Sequence, residues 1–347
     1  MFKKKQRSVT VVGLDLDPSH IAAAEVHVNG SVTVKKGAVA ALRPGILRDG
    51  EASDPAALAD AIRELFESNE LTRRVRLGIA NQRIVVRSLD LPVIEDPKGL
   101  AAAVHAEAPD HIPMPMDQAV VDFQPLGVVE TPAGPRSRVV IVAVRREMIE
   151  RLVSSVHQAG LEVEGIDLAA FGMVRALAPA AGSEHAVLYV NVAGLTNVAV
   201  ANGSGCLFTR AAAGGLEAVV DTLSERRGLT QAHARQWMQH VGLVTPLEEV
   251  EGDPELVTAT RAALEEGVHQ LADTVRNSLN FYRMQEGAEN VERAMLTGPV
   301  LAIPGFAEHL AEQLKLPVEP AFVVVDGDDA DPSRLAVAAG LAVEERA

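Results

Sequence analysis

The segment Gly13–Ser19 reads Gly-Leu-Asp-Leu-Asp-Pro-Ser and combines small, acidic and turn-forming residues at short spacing. Small residues let backbone N–H groups approach a phosphate, and a neighbouring carboxylate such as Asp15 can bind a divalent cation. Apolar runs on either side of the turn predict the two strands of a β-hairpin, Val9–Leu16 and Ile21–Val28. The pattern is typical of a phosphate-binding hairpin, and it is equally that of an ordinary hairpin with a polar turn.

A second hairpin of the same design follows about half a chain later. Its predicted strands Ala186–Val192 and Asn197–Asn202 enclose the turn Gly194-Leu195-Thr196, and Cys206–Ala211 predicts a third strand. Gly214-Gly215 then precede a predicted helix, whose N-terminal N–H groups could bind an anion. Because each hairpin leads into helices and further strands, the sequence predicts a duplicated α/β fold.

Composition limits the classes of function. The 347 residues carry a net charge of −15, which argues against broad nucleic-acid binding, and the single cysteine excludes an internal disulfide. A basic cluster near the start, Lys3 to Arg7, could touch an anionic membrane, but we interpret it as a solvated tail. Asp15 and Asp17 interrupt the apolar run that a signal peptide needs, and no window resembles a membrane helix, so we expect a cytoplasmic protein.

The segment between the hairpins changes character near Ile84. We predict a helix after the N-cap Ser53, and then a small α+β insertion at 83–160. In the insertion, Pro109 should end a helix, and the Pro-rich run 111–116 should cross in an extended conformation. The predicted strands and helices of the insertion are Ile84–Leu91, 97–108, Val120–Leu126, Arg138–Arg145 and Glu147–Gln158.

Several stretches resemble the PilM family of type IV pilus proteins, within the actin-like ATPase superfamily. The resemblance runs from about Val9 to Ala342 and rests on Val120–Gln124, Ala159–Leu168, Leu207–Arg210, Ser278–Tyr282 and Ala338–Ala342. It implies an α/β fold of two actin-like, ribonuclease-H-like halves with a cleft between them. The implied units are 8–82 with 161–185, the insertion 83–160, 186–215 with 291–347, and a helical unit 216–290.

The resemblance also implies a site for ATP and magnesium in the cleft, with Asp15 nearest the metal. The positions that match this site are Gly13, Asp15, Asp17, Ser19, Asn191, Gly194, Thr196, Asn197, Gly214, Gly215, Gly298 and Gly305.

Four parts of this site depart from the family pattern. Asp17-Pro18 replace a glycine and its neighbour, which adds a charge and removes a donor. Asn191 and Ala193 replace the Asp and Gly of the second phosphate loop, Arg235 and Met238 replace a Glu and a Lys, and Pro299 replaces a glycine. We therefore expect ATP binding and hydrolysis to be weak or absent. The alternative is a permissive site that binds nucleotide through backbone groups.

The resemblance implies a scaffold that grips the cytoplasmic tail of a PilN-like bitopic membrane protein. It would lie at the inner face of the cell membrane, with pilus motor ATPases as further candidate partners and no nucleic acid. A competence or type II secretion system is equally allowed. The candidate groove residues are Ile84, Val86, Met114, Met116, Val140 and Val142. For the two methionines, core packing is an equally good interpretation.

The alternative function is an ATP-driven enzyme or switch, such as a sugar-kinase-like phosphotransferase or a polymerising actin. Phosphoryl transfer needs a base near the γ-phosphate, and Asn191 in place of an Asp argues against one.

Overall fold

The computed structural model describes residues 10–181, 185–327 and 330–343. The basic cluster Lys3 to Arg7 lies outside these ranges. In the first part of the chain the elements are β1 (Val12–Asp17), β2 (His20–Asn29), β3 (Ser31–Ala41), β4 (Leu47–Arg48), β5 (Glu51–Ala52), α1 (Pro55–Ser68), β6 (Arg74–Ile79), β7 (Val85–Pro92), α2 (Pro97–His111), β8 (Ala119–Thr131), β9 (Gly134–Arg145), α3 (Arg146–Gln158), β10 (Glu162–Leu168) and α4 (Ala169–Ala181).

The second part begins with another three-stranded run. Its elements are β11 (Ala186–Val192), β12 (Thr196–Asn202), β13 (Gly205–Ala212), α5 (Leu216–Arg227), α6 (Gln231–Val241), α7 (Pro254–Arg283), β14 (Val291–Thr297), α8 (Phe306–Leu314), β15 (Val318–Pro320), β16 (Val324–Val325) and α9 (Ala336–Ala342). In the described ranges, no helix is both long and apolar enough to cross a bilayer.

Two sheets of related topology form the two halves of the molecule. The first has the order β10-β6-β1-β2-β3-β16, and the second has the order β13-β12-β11-β14-β15. In each sheet three consecutive strands pair antiparallel, and the first of them, β1 or β11, also pairs parallel with a strand that follows a helix. Both of these strands are buried along their whole length. The duplication that the hairpins predict is therefore present.

Helices α4 and α9 lie between the two sheets and give them a shared core. Alternate residues of β2 face opposite sides: Ile21 and Ala23 pack on the α1 and α3 side, whereas Ala22 and Ala24 pack with α4 and α9. Val187 and Tyr189 of β11 reach the same cluster from the second sheet. The remaining face of the second sheet is covered by α5 to α8. The halves thus share one apolar layer as well as a cleft.

The insertion is a three-stranded sheet of order β7-β9-β8 with α2 packed on one face. Helix α3, which the predicted bounds place in the insertion, packs Met148, Leu152 and Val156 into the core beneath α1. Strand β16, whose segment the predicted bounds assign to the second half, pairs with β3 in the first sheet. The division into four units stays a prediction, with these two elements lying outside it.

Local differences from the predicted elements have simple causes. The N-cap of α1 is Asp54 and not Ser53, because the Asp54 carboxylate accepts the N–H of Ala57 at 3.0 Å. Helix α2 continues through Pro109 to His111, since a proline in the last turn removes a single intrahelical hydrogen bond. Strand β8 runs past a bulge at Pro125/Gly127 to Thr131, so the connection between the predicted strands Val120–Leu126 and Arg138–Arg145 shrinks to a short turn.

Gly172 and Gly340 let α4 and α9 touch backbone to backbone. A Cβ added at Gly340 would lie well inside the van der Waals radius of the Gly172 carbonyl oxygen. Helix propensity alone favours Ala over Gly by about 1 kcal/mol, but overpacking against rigid backbone costs roughly 1–3 kcal/mol. We expect Gly340→Ala to lower the free energy of unfolding, measured by urea denaturation. Gly203→Ala is the control, because its Cβ would meet open space, and a midpoint for Gly340→Ala equal to the control's would contradict this packing.

Candidate functional site

The turns of the two hairpins meet at the Asp17 carboxylate. Asp17 is the last residue of β1, and Gly194 and Leu195 form the turn between β11 and β12. The backbone N–H of Gly194 donates to Asp17 Oδ1 at 2.8 Å, and the N–H of Leu195 donates to Oδ2 at 3.2 Å. These two hydrogen bonds, which we name the Asp17 bridge, connect the halves at their phosphate hairpins.

The sequence Asp17-Pro18-Ser19 holds this carboxylate in place locally. The N–H of Ser19 donates to Asp17 Oδ1 at 2.8 Å and its hydroxyl does so at 2.5 Å, which is a side-chain-stabilised turn. Ser19 Oγ also lies 2.8 Å from His20 Nδ1. Burial lowers the pKa of His20, so this imidazole is neutral at pH 7. Among the described residues, hydroxyl and backbone N–H donors therefore satisfy the buried Asp17, which is 5% exposed.

Little space remains between the hairpins. A Cβ added at Gly194 would lie 2.5 Å from Asp17 Oδ1 and 2.9 Å from the Ser19 nitrogen. A Cβ added at Gly13 would overlap the Ala338 carbonyl of α9, so this glycine serves helix packing. The donors that a phosphate would need at Gly194 and Leu195 already bind a carboxylate. A phosphate chain does not fit between the hairpins in this arrangement.

Asp15 is a poor partner for a cation as the residues stand. It is 6% exposed, and no hydrogen bond to its side chain is found in the described ranges. Burial, with a smaller contribution from the Asp17 charge, raises the pKa of Asp15 from 3.8 to about 8. The described residues also contain no group of three or more His, Cys, Asp or Glu side chains placed to bind a metal. In the absence of a metal, burial thus favours the protonated carboxyl, a form that does not bind magnesium.

The other positions of the predicted site make internal contacts. The Thr196 hydroxyl donates to the Gly214 carbonyl at 3.0 Å, and the N–H of Leu216 donates to the Ala193 carbonyl at 2.8 Å. The buried Asn191 and Asn197 face each other across β11 and β12. Three glycines are packed against neighbouring backbone or side chains: Gly215 against Ala193, Gly298 against Asn191 and Val192, and Gly305 against Leu243 and Val244.

Glu217 is a site residue that the sequence reasoning missed. It lies in the first turn of α5 and forms an ion pair with Arg235 of α6, one of the two residues that replace the Glu and Lys of the family pattern. Burial raises the pKa of Glu217, and the Arg235 charge opposes this shift. The other position, Met238, is buried in the core of the second half. The signal available in the sequence was an acidic residue in the first turn of a predicted helix, and the sequence did not show that Arg235 would face it.

A second cleft, of about 710 Å³, lies between the insertion and the first half. Strand β8 borders it on one side and β10 on the other, and each is an edge strand of its sheet. We name it the β8–β10 groove. Its lining is largely apolar, with polar groups among it, and includes Val120, Phe123, Val142, Val144, Ile149, Val153, Ile166, Phe171, Arg76, Asp122, His157, Glu164 and Asp167.

The six predicted groove residues do not form one wall. Val142 lines the β8–β10 groove, whereas Ile84 and Val86 line a smaller pocket beside Arg210. Val140 is fully buried. Met114 and Met116 pack with Ile141 and Val104 in the cluster under α2. Because successive residues of β9 point to opposite faces of the sheet, Ile141 and Val142 face different environments, and the methionines belong to the α2 side.

The raised pKa of Asp15 gives a pH-dependent cost to folding. Between pH 4 and 8 the unfolded chain has this carboxyl ionised, while the folded chain keeps it protonated, so stability falls as pH rises by about 1.4 kcal/mol per unit. We expect Asp15→Asn to be more stable than the unmodified protein at pH 7, with a difference that shrinks toward pH 4. Urea denaturation at several pH values in EDTA measures this. Asp117→Asn, at an exposed site, is the control, and parallel curves for Asp15→Asn and the unmodified protein would contradict the assignment.

Comparison with known proteins assigns the chain to a family. The model of the family described as type IV pilus assembly protein PilM matches residues 13–345. A solved PilM–PilN type IV pilus biogenesis complex is similar to this chain with a TM-score of 0.78 and 25% identity, covering 96% of this chain and 98% of that one.

Two further structures share the fold alone. Ethanolamine utilization protein EutJ from Carboxydothermus hydrogenoformans has a TM-score of 0.53 at 15% identity, over 98% of this chain and 91% of that one. MreB5 of Spiroplasma citri bound to ADP has a TM-score of 0.54 at 13% identity, over 96% and 95%. These matches confirm the predicted actin-like α/β fold. Because the family model covers nearly the whole chain, this protein belongs to the PilM family of type IV pilus assembly proteins.

Proposed function

We propose that this protein is a scaffold of type IV pilus assembly that binds an extended segment of a PilN-like membrane protein in the β8–β10 groove. The observation that carries the proposal is a largely apolar groove bordered by two edge strands. The similarity to PilM in a PilM–PilN complex supports the choice of partner. Through this partner the scaffold would work at the inner face of the cell membrane.

Edge strands offer free N–H and C=O groups, and an extended peptide can pair with them while its alternate side chains enter pockets. Here the pockets would be the apolar surface around Val142, Ile166 and Phe171. Carboxylates of Asp122, Glu164 and Asp167 are also part of the lining, and the chain as a whole carries a charge of −15. A tail with apolar residues in the groove and basic residues at its ends fits this charge distribution best.

Nucleotide turnover has no part in this proposal. The Asp17 bridge occupies N–H donors of the second phosphate loop, and Asp15 has the protonation state of a buried neutral acid. Asn191 supplies no charge for a metal or for a base. The function we propose for the two halves is therefore to present the groove on a rigid body, with ATP and magnesium bound weakly or not at all.

Calorimetry with ATP and magnesium tests the nucleotide part of the proposal. We expect a millimolar or undetectable affinity and negligible hydrolysis, because a triphosphate must displace the Asp17 carboxylate or lie beside it. The functional alternative, an ATP-dependent switch, requires a micromolar isotherm that depends on magnesium, and such a result would overturn this part.

Titration with a peptide of the partner's cytoplasmic tail tests the groove. Ile166 is 38% exposed in the lining, and replacing it with Glu puts a charge where an apolar contact is expected. Full burial of an Ile side chain is worth roughly 1.5–3 kcal/mol, and a bound tail can bury only the exposed part of Ile166. Desolvation of the new carboxylate adds to this loss, so Ile166→Glu should weaken binding about tenfold. Val28→Glu, an exposed site on β2 that is not part of the lining, is the matched control. Equal affinities for the two variants would place the partner elsewhere.

A further inference from the structure

We infer that Asp17 is a tethered anion, which fills the position of a phosphate in the second phosphate loop and joins the two halves in the absence of nucleotide. This inference rests on the proposed weakness of the nucleotide site and explains how the cleft closes without a ligand. Its basis is the set of four donors on one carboxylate, two from Ser19 and two from the opposite hairpin at Gly194 and Leu195. A buried anion is stable only when such donors surround it.

A second Asp-Pro-Ser tripeptide in the chain shows which hydrogen bonds belong to the local turn and which belong to the Asp17 bridge. Asp331-Pro332-Ser333 repeats Asp17-Pro18-Ser19, and the Ser333 N–H and hydroxyl donate to Asp331 Oδ1 at 3.0 and 2.6 Å. The turn chemistry of the two tripeptides is therefore the same. The bonds of Asp17 to Gly194 and Leu195 are additional to that turn and join residues 177 and 178 positions apart.

A second carboxylate near Asp17 is that of Glu217, at the start of α5. Glu217, in the first turn of α5, is held by Arg235, and the Asp17 charge is close enough to contribute to its raised pKa. The N-terminus of a helix favours negative charge, and here the chain supplies that charge itself. The chain thus places two carboxylates of its own, Asp17 and Glu217, close to the second hairpin.

Removal of the Asp17 carboxylate should uncover a latent anion site. At about 5 Å and an effective dielectric between 20 and 80, loss of one like charge improves the affinity for an anion roughly four- to three-hundredfold, before the freed donors are counted. The site should bind inorganic pyrophosphate, the smallest probe that contains the phosphoanhydride bond of a nucleotide.

The experiment measures pyrophosphate affinity by calorimetry for the unmodified protein, Asp17→Ala, Asp17→Asn and Asp331→Ala. We expect at least a tenfold gain for Asp17→Ala, a smaller gain for Asp17→Asn, and no gain for Asp331→Ala, which loses its own turn and its ion pair with Arg334 but leaves the Asp17 bridge in place. Circular dichroism verifies folding, and Asp17→Asn carries the test if Asp17→Ala does not fold.

The outcomes separate this inference from the proposed function. If the unmodified protein binds ATP tightly, the nucleotide part of the proposed function fails. If it binds ATP weakly and neither Asp17 variant gains affinity for pyrophosphate, this inference alone is wrong. An equal gain for Asp331→Ala would also overturn it, because general loosening of the cleft would then explain the result.

Discussion

A buried carboxylate and the backbone donors around it set the arrangement of the cleft. The buried Asp17 carboxylate accepts the N–H groups of Gly194 and Leu195, and those groups have no other acceptor among the hydrogen bonds of the described residues. The two turns must therefore stay together. Because Asp17 ends β1 and the partner turn follows β11, the bridge ties the central strand of one sheet to that of the other.

The packing of α4 and α9 between the two sheets also holds the two halves together. Helices α4 and α9 fill the space between the sheets, and their contact at Gly172 and Gly340 brings the backbones together. Two arginines also hold the end of α9: Arg76 donates to the carbonyls of Leu341 and Val343, and Arg175 donates to the carbonyl of Gly340. Since Arg76 also lines the β8–β10 groove, the groove lies against a part of the molecule that is firmly packed.

Much of this architecture follows from local sequence patterns. Alternation and turn residues predict both hairpins, and the duplicated design predicts the two halves, because each of these signals depends on residues close in the chain. Helix α5 begins directly after Gly214-Gly215, as predicted, for the same reason. The resemblance to the PilM family, confirmed by the family model, then supplies what periodicity cannot, namely how the halves are connected.

Contacts between segments far apart in the chain could not be predicted from the sequence. The sequence predicts that Asp17 lies near a phosphate position. It does not predict that the carboxylate oxygens of Asp17 accept hydrogen bonds from the opposite hairpin. The ion pair of Glu217 with Arg235 was missed for the same reason, since it depends on how two helices pack. For Met114 and Met116 the sequence allowed a groove wall and core packing equally. The structure packs both against Ile141 and Val104 under α2, a contact that the sequence does not reveal.

Hydrogen exchange at the amides of Gly194 and Leu195 tests the central claim most directly. If Asp17 takes the place of a phosphate, both amides should exchange slowly in the nucleotide-free protein, and millimolar ATP with magnesium should leave their rates unchanged. Fast exchange without nucleotide, followed by protection when ATP and magnesium are added, would show that the donors are free for a nucleotide and would contradict the account.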